Sequence, residues 1–329
     1  MRSLNLRGSK SFSVALVIAV IFSLLGVLAE GQEKIKLGSQ PFISHAGLFI
    51  ALEKGYFSKE GVEVENKVSR ASGAQMLTAL VSGDYDIIGA GLTVATYNAA
   101  LRGVDIRIIA DKGGNKGERS YAWILVRKDL FDKGLKSLAD LKGRKIGTPG
   151  VGTANWIELM MLLEKGGVAP EEVKLVDLNG PDRVSSLAAG TIDAMIVPEP
   201  FVAQAKATGK AVELVSVGDL GMFLEAVLMT TGSAINQRRD ALKRFLKAYV
   251  RGAKDYNDNP RDSTVVAAIA KHTGLDRAIV ERSHPFYMDP SGRVPEDVVQ
   301  KQMEWLIKRN LLSKAVPLEK LIDNSLLPK

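Results

Sequence analysis

The chain contains two copies of one strand, turn and helix pattern, and this repeat constrains the fold more than any other feature. The first copy, Ile35–Lys54, reads IKLGSQPFISHAGLFIALEK, and the second runs from Lys145 to Lys165. Gly38 corresponds to Gly147, 109 residues later, in the turn that follows each strand. Each copy then carries apolar residues at helical spacing, which predicts an amphipathic helix.

A second pair of matching segments follows in the same order. Leu80–Asp86 and Leu187–Asp193 both read L-x-x-G-x-x-D and lie 107 residues apart. In each, the glycine is expected to end a helix and the aspartate to begin an apolar strand. These matches predict two similar βαβα lobes, each with a buried parallel sheet. The alternative is that any two βαβ units share such features.

The glycine-rich turn in the second copy, Gly150–Asn155, precedes a helix for which Thr153 is the expected N-cap. A helix N-terminus presents free N–H groups and a partial positive charge, so this turn is a candidate cradle for a small anion. The segment also resembles a dinucleotide-binding fingerprint. However, it reads G-x-G-x-x-N, lacks the third glycine and is not followed by an acidic residue at the expected distance.

The amino-terminal segment, residues 1–29, has the pattern of a secretory signal peptide. Three basic residues precede the apolar run Phe12–Leu28, and Val27-Leu-Ala29 suits cleavage after Ala29. A membrane anchor is the alternative. Removal of this segment takes away three of the 44 basic residues and none of the 37 acidic residues. The remaining basic residues do not cluster, so nucleic acid is not an expected partner.

The sequence contains no cysteine, which argues against thiol catalysis, thiolate metal sites and a lipid-modified cysteine after the signal. The three histidines, His45, His272 and His284, match no metal-binding spacing. We therefore expect no cofactor and no metal, and a protein that is released into a bacterial periplasm without a lipid anchor.

The order of the remaining segments predicts how the chain is divided between the lobes. Asp111–Arg119, with three glycines and mixed charges, is expected to be a connecting loop, and Leu224–Thr231 a returning strand. Helices are expected from Asp240 onward, the first being Ala241–Tyr256. The predicted division is residues 33–119 and 232–329 for lobe one and 120–231 for lobe two. Two chain crossings then form a hinge, with a ligand at the carboxyl ends of the strands.

Several segments resemble one protein family closely: LEKGYFSKEGVEV (Leu52–Val64), LVSGDYDIIGAG (Leu80–Gly91), SLADLKGRKIG (Ser137–Gly147), AAGTIDAMIVPEPF (Ala188–Phe201) and LIDNSLLP (Leu321–Pro328). They look like the nitrate/sulfonate/taurine branch of the periplasmic substrate-binding proteins of ABC importers. That branch also includes binders of thiamine-pyrimidine precursors. The resemblance implies an α/β, two-lobed periplasmic-binding-protein fold of type II with a ligand cleft between the lobes. The closed form is expected to dock on a membrane permease.

Carried over position by position, the resemblance implies ligand contacts from turns in both lobes. The expected contacts are Ser39, Gln40, Phe42, His45, Ser72, Gly73, Gly91, Thr93, Gly152, Thr153, Asn155 and Glu199. Structural explanations compete with these roles. Ser72 and Thr153 are also good helix caps, and Glu199 either faces the cleft or is solvated or paired with Arg183. Aromatic residues such as Phe42, Tyr121 and Trp156 suit either ligand stacking or packing, and helical periodicity favours packing for Trp156.

These observations predict a monomeric receptor that captures a small anion, such as a sulfonate, taurine or nitrate, by closing its lobes and performs no chemistry. The alternative is a binder of a thiamine-pyrimidine precursor or an enzyme of that pathway. The enzymatic relatives use a cysteine-rich motif, and this chain has no cysteine.

Overall fold

Two five-stranded sheets organise the chain, which the computed structural model describes over residues 32–329. The expected signal peptide, residues 1–29, lies outside the described residues. The strands are β1 (Glu33–Ser39), β2 (Val62–Val68), β3 (Ile87–Gly91), β4 (Arg107–Asn115), β5 (Ala122–Arg127), β6 (Lys145–Thr148), β7 (Lys174–Asp177), β8 (Ala194–Pro198), β9 (Ala211–Ser216) and β10 (Phe223–Thr230). Their order is β2-β1-β3-β10-β4 in the first sheet and β7-β6-β8-β5-β9 in the second.

Helices cover the sheets and form most of the carboxyl-terminal third. They are α1 (Ala46–Glu53), α2 (Tyr56–Lys59), α3 (Gly73–Val81), α4 (Val94–Leu101), α5 (Lys128–Asp132), α6 (Ala154–Lys165), α7 (Gly180–Ala189), α8 (Phe201–Ala207), α9 (Gly232–Asp258), α10 (Ser263–Thr273), α11 (Arg277–Arg282), α12 (Glu296–Lys308) and α13 (Leu318–Leu321). We call the elements around the first sheet the first lobe, and those around the second sheet the second lobe. No helix among residues 32–329 has the length and apolar character needed to cross a bilayer.

The two lobes repeat the same local hydrogen bonds, as the matching segments predict. In the first lobe, the Lys36 N–H donates to the Asp86 carboxylate at 2.7 Å, and the Asp86 N–H donates to the Lys36 carbonyl at 2.8 Å. In the second lobe, Lys145 and Asp193 make the same two bonds at 3.0 and 2.8 Å. Each sheet also has one antiparallel strand between two others: β10 lies between β3 and β4, and β5 lies between β8 and β9. The repeat seen in the sequence is therefore also present in the structure.

Strand β10 belongs to the first sheet, which corrects the expected division of the chain. It pairs antiparallel with β3 and with β4, although residues 120–231 were expected to form lobe two. All eight of its residues are buried, and the buried backbone N–H and C=O groups along both of its edges need hydrogen-bond partners. In the first sheet, β3 supplies these partners on one edge of β10 and β4 supplies them on the other. The second sheet is complete with β5 to β9, residues 122–216.

The expected loop Asp111–Arg119 is wrong over its first half, because β4 continues to Asn115. The glycines and charges in this segment are typical of a loop, yet Asp111–Asn115 is buried throughout. Its backbone is satisfied by β10 and by Tyr287, whose carbonyl accepts the Gly114 N–H at 3.0 Å. The partners lie far away in sequence, so local composition gave the wrong prediction.

Helix α9 begins at Gly232, nine residues before the expected start at Ala241. Thr231 caps it by accepting the Ala234 N–H at 3.1 Å, and the helix bends where Arg238 departs from helical angles. The helix packs against α1 through glycines: a Cβ on Gly252 would lie 2.1 Å from the Gly47 carbonyl oxygen. The two backbones therefore touch, and this contact attaches the carboxyl-terminal helices to the first lobe.

Candidate ligand-binding site

A cavity of about 910 Å³ lies between the lobes, at the carboxyl ends of the strands. Gln40 follows β1 and Thr93 follows β3 on the side of the first lobe. Pro149 follows β6 and Asn179 follows β7 on the side of the second lobe. Open α/β sheets bind ligands in this position because the turns after parallel strands meet there. The cavity is therefore the candidate site.

Four helix N-termini contribute to the cavity lining. Residues at the starts of α3, α4, α6 and α7 all line it. In each helix the N-cap side chain accepts the N–H of the third helical residue, as Ser72 does for Gln75 and Thr153 for Trp156. The preceding N–H groups remain available: those of Gly73, Ala154 and Gly180 donate to no acceptor within the part of the chain that the structure describes. Such groups favour an anion.

Arg183 adds a full positive charge on the side of the second lobe. Its side chain is buried and is anchored by hydrogen bonds from Nε to the Asn179 carbonyl at 3.4 Å and from an Nη atom to the Ile196 carbonyl. No carboxylate among residues 32–329 lies within ion-pair distance of it, although the charge of Asp177 partly opposes the lowering of its pKa. Burial lowers the pKa of Arg183 to about 10, so it is protonated at neutral pH. An anion in the cavity would supply the charge that balances it.

The first lobe contributes two buried titratable side chains, Lys112 from β4 and Glu225 from β10. The Lys112 ammonium donates to the Ser44 hydroxyl at 3.0 Å and lies 3.4 Å from Nδ1 of His45. Burial lowers the pKa of Lys112 to about 7, because the charged form loses its hydration. Both side chains were missed by sequence reasoning. The detectable signal was a single acid within the apolar strand β10.

Eight of the twelve residues expected to contact a ligand line the cavity. They are Gln40, Phe42, Ser72, Gly73, Gly91, Thr93, Thr153 and Asn155. Phe42 faces Phe201 of the second lobe edge to face, with ring centroids 6.4 Å apart. Tyr121 also lines the cavity, whereas Trp156 packs in the hydrophobic cores between α6 and α12.

The other four expected residues lie behind the cavity walls. The Ser39 hydroxyl is bound to Asn66 at 2.7 Å, which ties β1 to β2. His45 is fully buried behind β3, with Nε2 3.1 Å from the Gly89 carbonyl, and burial holds its pKa well below the usual value. The carbonyl of Gly152 accepts the Val94 N–H at 3.0 Å and so joins the two lobes.

Glu199, the fourth of these residues, neither faces the cavity nor pairs with Arg183. Its carboxylate is fully buried and accepts the Ala203 N–H of α8 at 3.1 Å and the His284 N–H at 2.7 Å. Burial raises its pKa. Because His284 follows α11, the carboxylate connects the carboxyl-terminal helices to the second lobe. These two hydrogen bonds explain the residue without a ligand.

Within residues 32–329, no three His, Cys, Asp or Glu side chains are grouped so that they could hold a metal ion.

Comparison with known proteins places these features in a family. A family described as "NMT1/THI5 like" matches residues 43–263, more than half of the chain. The taurine-binding periplasmic protein of Escherichia coli is 25% identical over 213 residues, which cover 64% of this chain and 63% of that protein. The formylaminopyrimidine-binding protein of Halalkalibacterium halodurans is 25% identical over 267 residues, 77% of each chain.

Solved structures share the two-lobed fold. The periplasmic aliphatic sulphonate binding protein SsuA from Escherichia coli matches with a TM-score of 0.73 at 20% identity, covering 88% of this chain and 92% of that one. The nitrate-binding protein NrtA from Synechocystis matches with 0.71 at 18% identity, covering 90% and 87%. The desulfurization enzyme DSZB also matches, with 0.65 at 18% identity over 89% and 97%. At these identities the likeness establishes the fold alone.

Proposed function

The chain belongs to the NMT1/THI5-like family, and from this premise we propose that it is the periplasmic solute-binding receptor of an ABC importer. It captures a small anion, such as an alkane- or arylsulfonate, taurine or nitrate, by closing its two lobes, and the closed form docks on a membrane permease. The observation that carries this proposal is the lining of the cavity by four helix N-termini and by the buried cation Arg183, which forms no close ion pair among the described residues. The periplasmic relatives support the location.

An enzyme is the competing class, since the desulfurization enzyme DSZB has the same fold. We propose a receptor because the relatives matched in sequence over most of this chain are binding proteins. The absence of cysteine from the whole sequence also argues against the enzymes of the thiamine-pyrimidine pathway, which use a cysteine-rich motif.

A second ligand class is supported by the aromatic residues of the cavity. Phe42 and Phe201 flank the cavity from opposite lobes, and Tyr121 also lines it. Such rings suit a planar heterocycle, and a formylaminopyrimidine-binding relative is among the similar proteins. A thiamine-pyrimidine precursor is therefore the alternative ligand.

We expect one anion of a small panel to stabilise the protein. A ligand that binds only the folded state adds about 2.7 kcal/mol at a hundredfold excess over Kd, which should raise Tm by several degrees. The panel is taurine, longer alkanesulfonates, aromatic sulfonates, nitrate, bicarbonate, phthalate-like carboxylates and hydroxymethylpyrimidine, measured by thermal shift with chloride at equal ionic strength as the control. Small-angle scattering should show a smaller radius with the stabilising compound, because the lobes close.

Two results would contradict the anion-receptor proposal. A shift with the pyrimidine and none with any anion would select the alternative ligand. Conversion of a bound compound to product, detected by mass spectrometry, would show an enzyme.

Thr153 provides a test of the helix N-terminus as an anion site. Thr153→Asp keeps an N-cap but adds a negative charge to the cavity wall, so anion affinity should fall about 2- to 30-fold, from an interaction of roughly 0.3–2 kcal/mol. Thr153→Asn is the matched control, because asparagine has the shape of aspartate and also caps a helix well but carries no charge. Calorimetry should show near-normal affinity for the Asn variant. Equal affinities for the two variants would mean that the anion binds elsewhere.

A further inference from the structure

A pair of buried carboxyl groups, one of which lines the cavity, is not explained by the anion site alone. Glu158 of α6 is fully buried and Glu225 of β10 is 5% exposed. The amide nitrogen of Asn155 donates to both, at 2.7 Å to Oε2 of Glu158 and at 3.0 Å to Oε1 of Glu225. One NH₂ group thus bridges two acids from different lobes. Two ionised carboxylates so placed would repel each other strongly.

The two acids differ in what their remaining oxygens contact. The other oxygen of Glu158, Oε1, accepts the Asn115 amide at 3.0 Å, so both of its oxygens accept N–H donors. Oε2 of Glu225 is buried and has no hydrogen-bond partner among the described residues. Of the two acids, Glu225 lines the cavity. If this pair holds a proton, Oε2 of Glu225 is the oxygen of the pair that has no other hydrogen-bond partner among the described residues, and it belongs to the acid that lines the cavity.

The titratable groups that interact with Glu225 are Glu158, Lys112 and Tyr121, and the pKa of Tyr121 is raised well above its usual value by burial and then by Glu225. Burial, and then the neighbouring Glu158, raise the pKa of Glu225 well above its usual value. Lys112 of β4 opposes this shift but forms no ion pair with it within the described residues. Asp111, beside Lys112, has its pKa raised to about 7 by burial, and the pKa of His45 is held low. A neutral Glu225 is the state that these surroundings favour.

We propose that Glu225 is a neutral carboxylic acid that donates a hydrogen bond from Oε2 to an acceptor oxygen of the bound anion. This inference rests on the proposed function, and it makes Glu225 a residue that determines the specificity of the receptor for its anion. The ligand class is an oxyanion, since sulfonate, nitrate and carboxylate all present an oxygen that accepts such a bond. An ionised Glu225 would instead repel the anion that Arg183 and the helix N-termini attract. Anion binding therefore requires one proton on the receptor.

The test compares the pH dependence of binding in the wild type and in Glu225→Gln. The amide has the shape of the neutral acid, retains an acceptor for Asn155 and donates at every pH. The probes are 1-propanesulfonate, taurine and nitrate. Near pH 6, the affinity of Glu225→Gln for the probe that binds should be within about threefold of the wild-type affinity. Wild-type affinity should fall as pH rises through the pKa of Glu225, by up to about tenfold per pH unit, and this part of the fall should be absent in the variant.

Two further variants separate Glu225 from its neighbours. Glu158→Gln removes the charge that raises the pKa of Glu225, so affinity should be lost at lower pH than in the wild type. Lys112→Met removes a neighbouring group whose pKa is about 7 and should leave the dependence on Glu225 in place. If Glu225→Gln weakens binding more than tenfold near pH 6, or leaves the pH profile unchanged, the proposal is wrong.

Infrared difference spectra test the proton without any ligand. The wild type at neutral pH should show the C=O stretch of a protonated carboxyl group that is missing from Glu225→Gln. Absence of that band in the wild type would overturn the proposal even if an anion binds. If no anion of the panel binds, the proposed function fails, and the band still decides whether Glu225 is neutral.

Discussion

Replacement of Arg183 by methionine is expected to weaken anion binding by roughly 10- to 100-fold, because a hydrogen-bonded charge contributes about 1.5–3 kcal/mol. The guanidinium lines the cavity, is buried, and has no carboxylate partner among the described residues. Methionine fills a similar volume but supplies neither charge nor donors. Isothermal titration with the anion that stabilises the wild type measures the loss.

Arg70→Met is the matched control for Arg183→Met. Arg70 also lines the cavity, but it is exposed at the rim, where water screens its charge, so the expected loss is less than about threefold. Because Arg183 also donates to the Asn179 and Ile196 carbonyls, circular dichroism must show that the variant is folded at the titration temperature. A folded Arg183→Met with wild-type affinity would place the anion away from this residue.

Gly252→Ala is expected to lower the free energy of unfolding by at least about 3 kcal/mol, the upper end of overpacking costs. The added Cβ would lie 2.1 Å from the Gly47 carbonyl oxygen and 3.1 Å from the Ala51 nitrogen. Both are backbone atoms of α1, so no side chain can rotate to make room. The helices must separate, which disturbs the hydrophobic core that α1 and α9 share. Urea unfolding followed by circular dichroism gives the change.

Gly73→Ala provides the comparison for Gly252→Ala. It is the same substitution in a helix, but the nearest atom to the new Cβ would be 4.0 Å away. Its stability should therefore stay within about 0.5 kcal/mol of wild type. If the two variants had equal stabilities, the close contact between α1 and α9 would not be a constraint on the fold.

The sequence predicted the parts of the fold that local chemistry determines. The strand, turn and helix units were recognisable because glycines and N-caps such as Ser72 and Thr153 act on neighbouring residues. The two-lobed architecture followed from the repeat and from the family resemblance. By contrast, Asp111–Asn115 was predicted as part of a loop because the strand that stabilises it comes much later in the chain.

The site was predicted less completely, for a related physical reason. Motif positions identified the turns that reach the cavity, but they could not separate a residue on the wall from one behind it. His45 and Glu199 lie in the right turns and are buried among backbone partners. Conversely, Lys112 and Glu225 lie on strands whose pairing is non-local, so their convergence became visible only in the assembled sheet.

The position of β10 also determines the order in which the protein can be assembled. Strands β5 to β9 are contiguous in the chain, so the second sheet can close soon after residue 216 is synthesised. The first sheet must wait, because β3 and β4 are joined only through β10, and closing that long loop has an entropic cost. Glu225 arrives with this last strand. A nascent chain therefore has no complete cavity, and recognition begins only when the first sheet is finished.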